Sequence, residues 1–261
     1  MTVCAACDNA RTRRQRQRGF TLIEMAVVLV IAGLLIGMVA PLLGRVLENN
    51  RTAATLAHME AIQDAIVIFV RANGRIPCPG QPEDTPLGDE RRSAPNAPPS
   101  CTGNDQDDGI VPFRVLGLPE DTARDGYKNF FTYHVAEDFA DNGLDSDITA
   151  GTGFCSETSS LTIVDENGDD LAPGQEVAYV LVSHGENGHG HYTAGVSNPT
   201  SVSSNSLEGE NVINSGGTND DDTFVNAAPL NEDVTGGPYD DTVRWATRDQ
   251  IAAQVQEFGC P

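Results

Sequence analysis

The sequence predicts an α+β protein, a long N-terminal helix packed on a small antiparallel sheet with large loops. Three observations carry that expectation. Residues 19–43 (GFTLIEMAVVLVIAGLLIGMVAPLL) form an apolar run broken by one charge, Glu24. Leu56, Met59, Ile62, Ile66, Phe69 and Val70 then recur at spacings of three and four, with Arg51, His58, Glu60, Gln63 and Asp64 between them. That is the pattern of a helix with one buried face. After Gly74, short strand-like runs alternate with tracts rich in Pro, Gly, Asp and Ser.

The first element is a span. The 24 residues from Phe20 to Leu43 make about 36 Å of helix at about 1.5 Å per residue. A hydrocarbon core is roughly 30 Å thick, so the run crosses it with some tilt. A secretory h-region is shorter, about 7–15 residues, and ends in a small-residue cleavage site; no A-x-A follows this run. Arg11, Arg13, Arg14, Arg16 and Arg18 precede it, which predicts a cytoplasmic N-terminus and the remaining chain on the far side of the inner membrane. Gly33 and Gly37 give a G-x-x-x-G that lets helices approach closely. Pro41 removes a backbone donor and predicts a kink or loosening. The amphipathic stripe continues the helix to Asn73-Gly74, a stop that Pro77 and Pro79 reinforce.

Beyond the helix, residues 75–110 read as a long loop. Strands are predicted at Asn129–Val135, Leu161–Val164, Val177–Ser183 and Thr242–Trp245. The tract from Gly185 to Gly237 is polar and glycine-rich, too hydrophilic to contribute much core. A last helix is predicted over Arg248–Phe258, with Thr247 and Gln250 as a capping box and Ile251, Val255 and Phe258 on one apolar face. The resulting domain plan is 1–19 leader, 20–43 transmembrane and assembly helix, 44–74 amphipathic continuation, and 75–261 exported globular domain.

The string Gly19-Phe20-Thr21-Leu22-Ile23-Glu24 resembles the processing site of type IV pilins and type II secretion pseudopilins. The resemblance implies that a prepilin peptidase cuts between Gly19 and Phe20 and N-methylates Phe20. It makes Glu24 the assembly glutamate, with Gly33 and Pro41 matching a glycine and a kinking proline of the family's helix. It also implies other pilin or pseudopilin subunits as partners and an inner-membrane location before assembly into a filament. The residues support the same mechanism. A carboxylate in a spanning helix costs about 2.5–3.5 kcal/mol on insertion scales, so its presence there points to function. Cleavage creates an ammonium at Phe20 one turn from Glu24, a pair that neutralises itself within a subunit or between neighbours.

Charge and cysteines place the rest. The chain carries 16 basic and 38 acidic residues. Removing the leader takes five Arg and one Asp, leaving a net charge of −26, which excludes the electrostatic footprint of a nucleic-acid binder. Four cysteines remain after the leader, Cys78, Cys101, Cys155 and Cys260, and in an exported domain they imply disulfides with three pairings open. Cys78–Cys101, closing the Pro-rich loop, and Cys155–Cys260 are the favoured pairs; the second resembles the C-terminal disulfide of many pilins. Calcium is the candidate cofactor, at Asp165, Asn167 and Asp169 or at Asp105 and Asp107, whose acidic spacing suits an oxygen-loving ion. Ser183-His184-Gly185-Glu186-Asn187-Gly188-His189-Gly190-His191 offers three imidazoles, but it is neither H-E-x-x-H nor a nucleophile elbow. No catalytic residue is expected. The sequence therefore predicts a structural filament subunit, minor or at the tip, with a secretion pseudopilin as the alternative. A reading of another class is a membrane-anchored metal-binding or enzymatic domain that carries a pilin-type signal.

Overall fold

The computed structural model describes residues 20–92, 101, 108–141, 153–201, 206–212, 222–230 and 238–255. Gly19, Asp105, Asp107 and Cys260 lie outside them. The chain divides into two compact units, Met1–Glu48 and Asn49–Pro261. Helix α1, Leu22–Asn73, runs through both.

In the first unit the large apolar side chains from Phe20 to Met38 are exposed, Leu22 at 91%. The backbone stays helical through Pro41. Space beside Gly33 and Gly37 is open, with no atom within 4 Å of an added Cβ. By length and composition alone, Gly44–Asn73 also passes as a membrane helix. However, 33% of its most apolar window is buried, including Met59, Ile62, Ile66 and Val70 in the core. That burial makes it the core helix of the second unit, and leaves the exposed apolar segment as Phe20–Met38. Of the predicted stripe, Leu56 faces out at 37% exposure.

The second unit is α+β. Strands β1 (Asp108–Ile110), β2 (Thr132–Val135), β4 (Val177–Ser183) and β6 (Thr242–Thr247) form an antiparallel sheet in the order β1-β2-β4-β6. Strands β3 (Thr162–Val164) and β5 (Thr223–Val225) pair in parallel as a separate ribbon. Short helices α2 (Glu137–Asp141), α3 (Leu207–Glu210) and α4 (Arg248–Gln254) connect or close the sheet. Helix α1 ends where the sequence predicts, with Gly74 at φ 72° donating to the Val70 carbonyl at 2.7 Å, a left-handed cap that glycine adopts without penalty. The predicted capping box at Thr247 and Gln250 is present in full.

Every residue of β4 is buried, so both sheet faces must be covered. Successive residues on a strand point to opposite faces. On one face Tyr133 lies 6.0 Å from Tyr179, whose hydroxyl meets Gln63 of α1. On the other, His134 lies 5.3 Å from Phe224 of β5. This corrects two sequence expectations. The polar tract 185–237 does build core, through Tyr192, Val212, Phe224 and Val225, because few but large apolar groups suffice when the polar ones are hydrogen-bonded. The stretch 75–110 is not all loop, since it ends in β1 and is stapled by the Cys78–Cys101 disulfide (Cα–Cα 5.4 Å). Buried Arg75 also clamps it by binding Glu90 at 2.6 and 2.8 Å. Strand β2 starts at Thr132 rather than Asn129, because Asn129 donates its N–H at 2.9 Å to Asp125 in the preceding turn. Gly126 there lies so close to α1 that an added Cβ would stand 2.1 Å from the Arg51 carbonyl oxygen.

His134 gives the fold a pH signature. Burial lowers its pKa to about 4, against the opposing pull of Asp222, whose carboxylate is 3.8 Å away. The unfolded chain takes up this proton near pH 6.5 and the folded chain only near 4, so stability is lost as pH falls through that window. The loss attributable to His134 is about 3 kcal/mol. The buried carboxyls Asp125 and Asp241 are raised by desolvation and act in the opposite sense. The reading is therefore a difference: urea titrations between pH 4 and 7 should show His134→Phe with a shallower pH dependence than wild type. Parallel curves would contradict it.

Candidate assembly site and a buried carboxylate cluster

Glu24 sits in the first turn of α1. Its Oε2 accepts from the Thr21 N–H at 3.3 Å and from the Thr21 hydroxyl at 3.4 Å. The Glu24 N–H donates to Thr21 Oγ1 at 3.3 Å. This is a reciprocal capping box. Its signature, Thr21-x-x-Glu24, is legible in the sequence. The same carboxylate thus caps the start of the helix within the chain itself. Gly33 is exposed on the same helix, and nothing is described of the Pro41 side chain.

The three histidines of the 183–191 segment do not form a common ligand set among the described residues. His184 is fully buried and its pKa is pushed down to about 3, first by burial and then by His191. Its Nε2 pairs with Thr132 Oγ1 at 2.7 Å. The half-exposed His189 pairs with Glu208 at 3.3 Å. His191 turns to the Gly188 carbonyl. Gly185, Gly188 and Gly190 take φ of 54°, 63° and 89°, as expected for a strand leaving into tight turns. The loop at Asp165 closes on itself: Asp165 Oδ1 accepts from the Asn167 and Asp169 N–H groups at 2.8 and 2.9 Å, and these bonds hold its carboxyl below the usual range. Cys155 is disulfide-bonded, and its predicted partner Cys260 lies outside the described residues.

What the sequence reading missed is a buried polar centre behind β4. Asn211 is fully buried. Its Nδ2 donates to the Val225 carbonyl at 3.1 Å and to Asp241 Oδ2 at 2.9 Å, and its Oδ1 accepts from the Val225 N–H at 2.8 Å. Glu208, Asp240 and Asp241 bring three carboxylates together. Desolvation raises the pKa of Asp240 and Asp241, and Glu208 adds to both. Separately, a groove of ≈ 480 Å³ runs along β6, lined by Asn226, Thr242, Val243, Arg244, Trp245 and Gln250. Among the described residues that line it Arg244 alone titrates, so they offer no acid–base pair.

The family that matches the chain is described as the prokaryotic N-terminal methylation motif, over residues 14–40. The chain carries a prepilin-type N-terminus. Two curated relatives are both named type II secretion system core protein G. The one from Klebsiella michiganensis is 37% identical over 65 residues, 25% of this chain and 46% of that protein. The one from Klebsiella pneumoniae is 38% identical over 63 residues, 24% of this chain and 45% of that protein. The chain thus spans less than half the length of the curated relatives it matches. No solved structure matches it. The prepilin-type match covers Phe20, Glu24 and Gly33 together. It therefore falls on the exposed apolar helix and its capping glutamate, not on the buried centre at Asn211.

Proposed function

We propose that this chain is a structural subunit of a pilin-type filament. Residues 20–43 anchor it in the inner membrane with residues 75–261 on the far side. Prepilin peptidase cleaves it after Gly19 and methylates Phe20, and the subunit then assembles through α1. One observation carries the reading: the methylation motif at 14–40 coincides with an exposed apolar helix whose sole charge is Glu24. Bilayer or neighbouring helices must cover such a surface. With 242 residues after the cleavage point, the subunit is bulky for a long filament, which favours a minor or tip position. Assembly is its activity, and we assign no catalysis. A second reading, a type II secretion pseudopilin, is favoured by the name that both curated relatives bear.

The test is the mass of the N-terminal peptide in cells with and without a prepilin peptidase. The expected result is N-methyl-Phe20 with the enzyme and a retained residue 1–19 leader without it. A leader retained in both would overturn the proposal.

A further inference from the structure

We infer that the open edge of β6 is a docking site for an extended, carboxylate-bearing segment of a partner protein, which joins the sheet as a further strand. The order β1-β2-β4-β6 leaves two outer strands. The β1 edge is closed, because Ile110 and Gly80 exchange N–H···O bonds at 2.8 and 2.9 Å. Strand β6 pairs with β4 over its length. Among the described residues, no hydrogen bond reaches Thr242–Ala246 from the other side. In an antiparallel pair, alternate residues turn both backbone groups away from the partner. The six residues of β6 thus present about 20 Å of open edge at about 3.4 Å each. That row of donors and acceptors is what an added strand matches.

The groove of ≈ 480 Å³ follows this edge, and four consecutive residues line it, Thr242 to Trp245. Successive side chains point to opposite faces of a sheet, so a groove that meets all four runs along the backbone and not over one face. Its side chains say what the added strand carries. Arg244 is exposed and, among the described residues, has neither ion pair nor hydrogen bond. Arg51, Arg75, Arg114 and Arg124 are each ion-paired. An unpaired guanidinium beside an open backbone selects a carboxylate. Trp245, on the opposite face, is half-buried and packs against the core, which suits an apolar residue next to that carboxylate. A second copy does not fit: its β6, Thr-Val-Arg-Trp-Ala-Thr, brings no carboxylate, and its β1 edge is closed.

The experiment uses the full chain purified in detergent and a capped probe peptide, Val-Thr-Val-Glu-Val-Thr-Val, which puts its Glu and its Val residues on opposite faces. Trp245 is the chain's single tryptophan, so its fluorescence reports on the groove itself. Expected is a saturable blue shift with this peptide, binding about fivefold weaker when Lys replaces its Glu, and no binding when its alternate amides are N-methylated. Arg244→Glu should prefer the Lys peptide, and Arg244→Gln should bind the two alike; both should melt as the wild type does, since the side chain is exposed. Hydrogen exchange should be fast at the outward amides of β6 in the free chain and slow once the Glu peptide is added. No saturable shift at millimolar peptide, equal binding of the N-methylated peptide, or an unchanged preference in Arg244→Glu would overturn the inference. So would slow exchange at those amides without peptide, which would mean that this chain or a second copy already covers the edge. None of these readouts needs leader removal or filament formation, so the docking site and the proposed function fail separately.

Discussion

Glu24→Ala should still enter the membrane and lose its leader, yet yield no filament. Replacing one charge with a methyl makes the span more apolar, so insertion is eased rather than impaired. What is lost is the partner of the ammonium that cleavage creates at Phe20. Removing one member of a buried ion pair costs about 3–5 kcal/mol, a factor of at least a hundred in subunit affinity. The structure adds a control, because Glu24 also caps α1 through Thr21 and Ala removes that cap for about 1 kcal/mol. Gln serves a capping box as Glu does but carries no charge. Glu24→Gln should therefore keep the helix start and still fail to assemble. If Gln assembles where Ala does not, the cap matters and the charge does not.

Asn211→Ala should destabilise the second unit by about 4 kcal/mol. The side chain is wholly buried, and truncation strands the Val225 N–H and Asp241 Oδ2, at about 1–3 kcal/mol each. The Val225 carbonyl is spared, since the Tyr239 hydroxyl also donates to it at 2.6 Å. Urea unfolding should show a lower midpoint with an unchanged slope. Asn167→Ala, in an exposed turn, should shift stability by less than about 1 kcal/mol. Equal effects from the two would show that the buried network contributes nothing.

The contrast between these two residues also marks what the sequence could reveal. The N-terminal helix was legible because its signals are local: an apolar run, one glutamate, a three-and-four stripe and an Asn-Gly stop. Strand β4 was legible for the same reason, as a continuous apolar run, and α4 through its capping box. The centre around Asn211 was not. Its polar side chains come from positions 184, 208, 211, 240 and 241, scattered through stretches that read as loop. Only the closure of the tract over β4 makes them neighbours. The hydrophobic clue was present in Tyr192, Val212, Phe224 and Val225, four large groups in a tract otherwise dominated by Gly, Asn and Ser. Average polarity hid them. The disulfide at Cys78–Cys101 lies between these extremes: it closes one proline-rich loop, which made the pairing readable without the fold.

Glu24 carries the central claim, that a leader-masked subunit becomes assembly-competent when cleavage supplies the amine of Phe20. The direct test recovers the N-terminal peptide of wild type and Glu24→Gln from membranes and from sheared filaments of the same cells. Expected is N-methyl-Phe20 in both membrane samples but in the filaments of wild type alone. Equal amounts of the methylated Glu24→Gln peptide in filaments would contradict it.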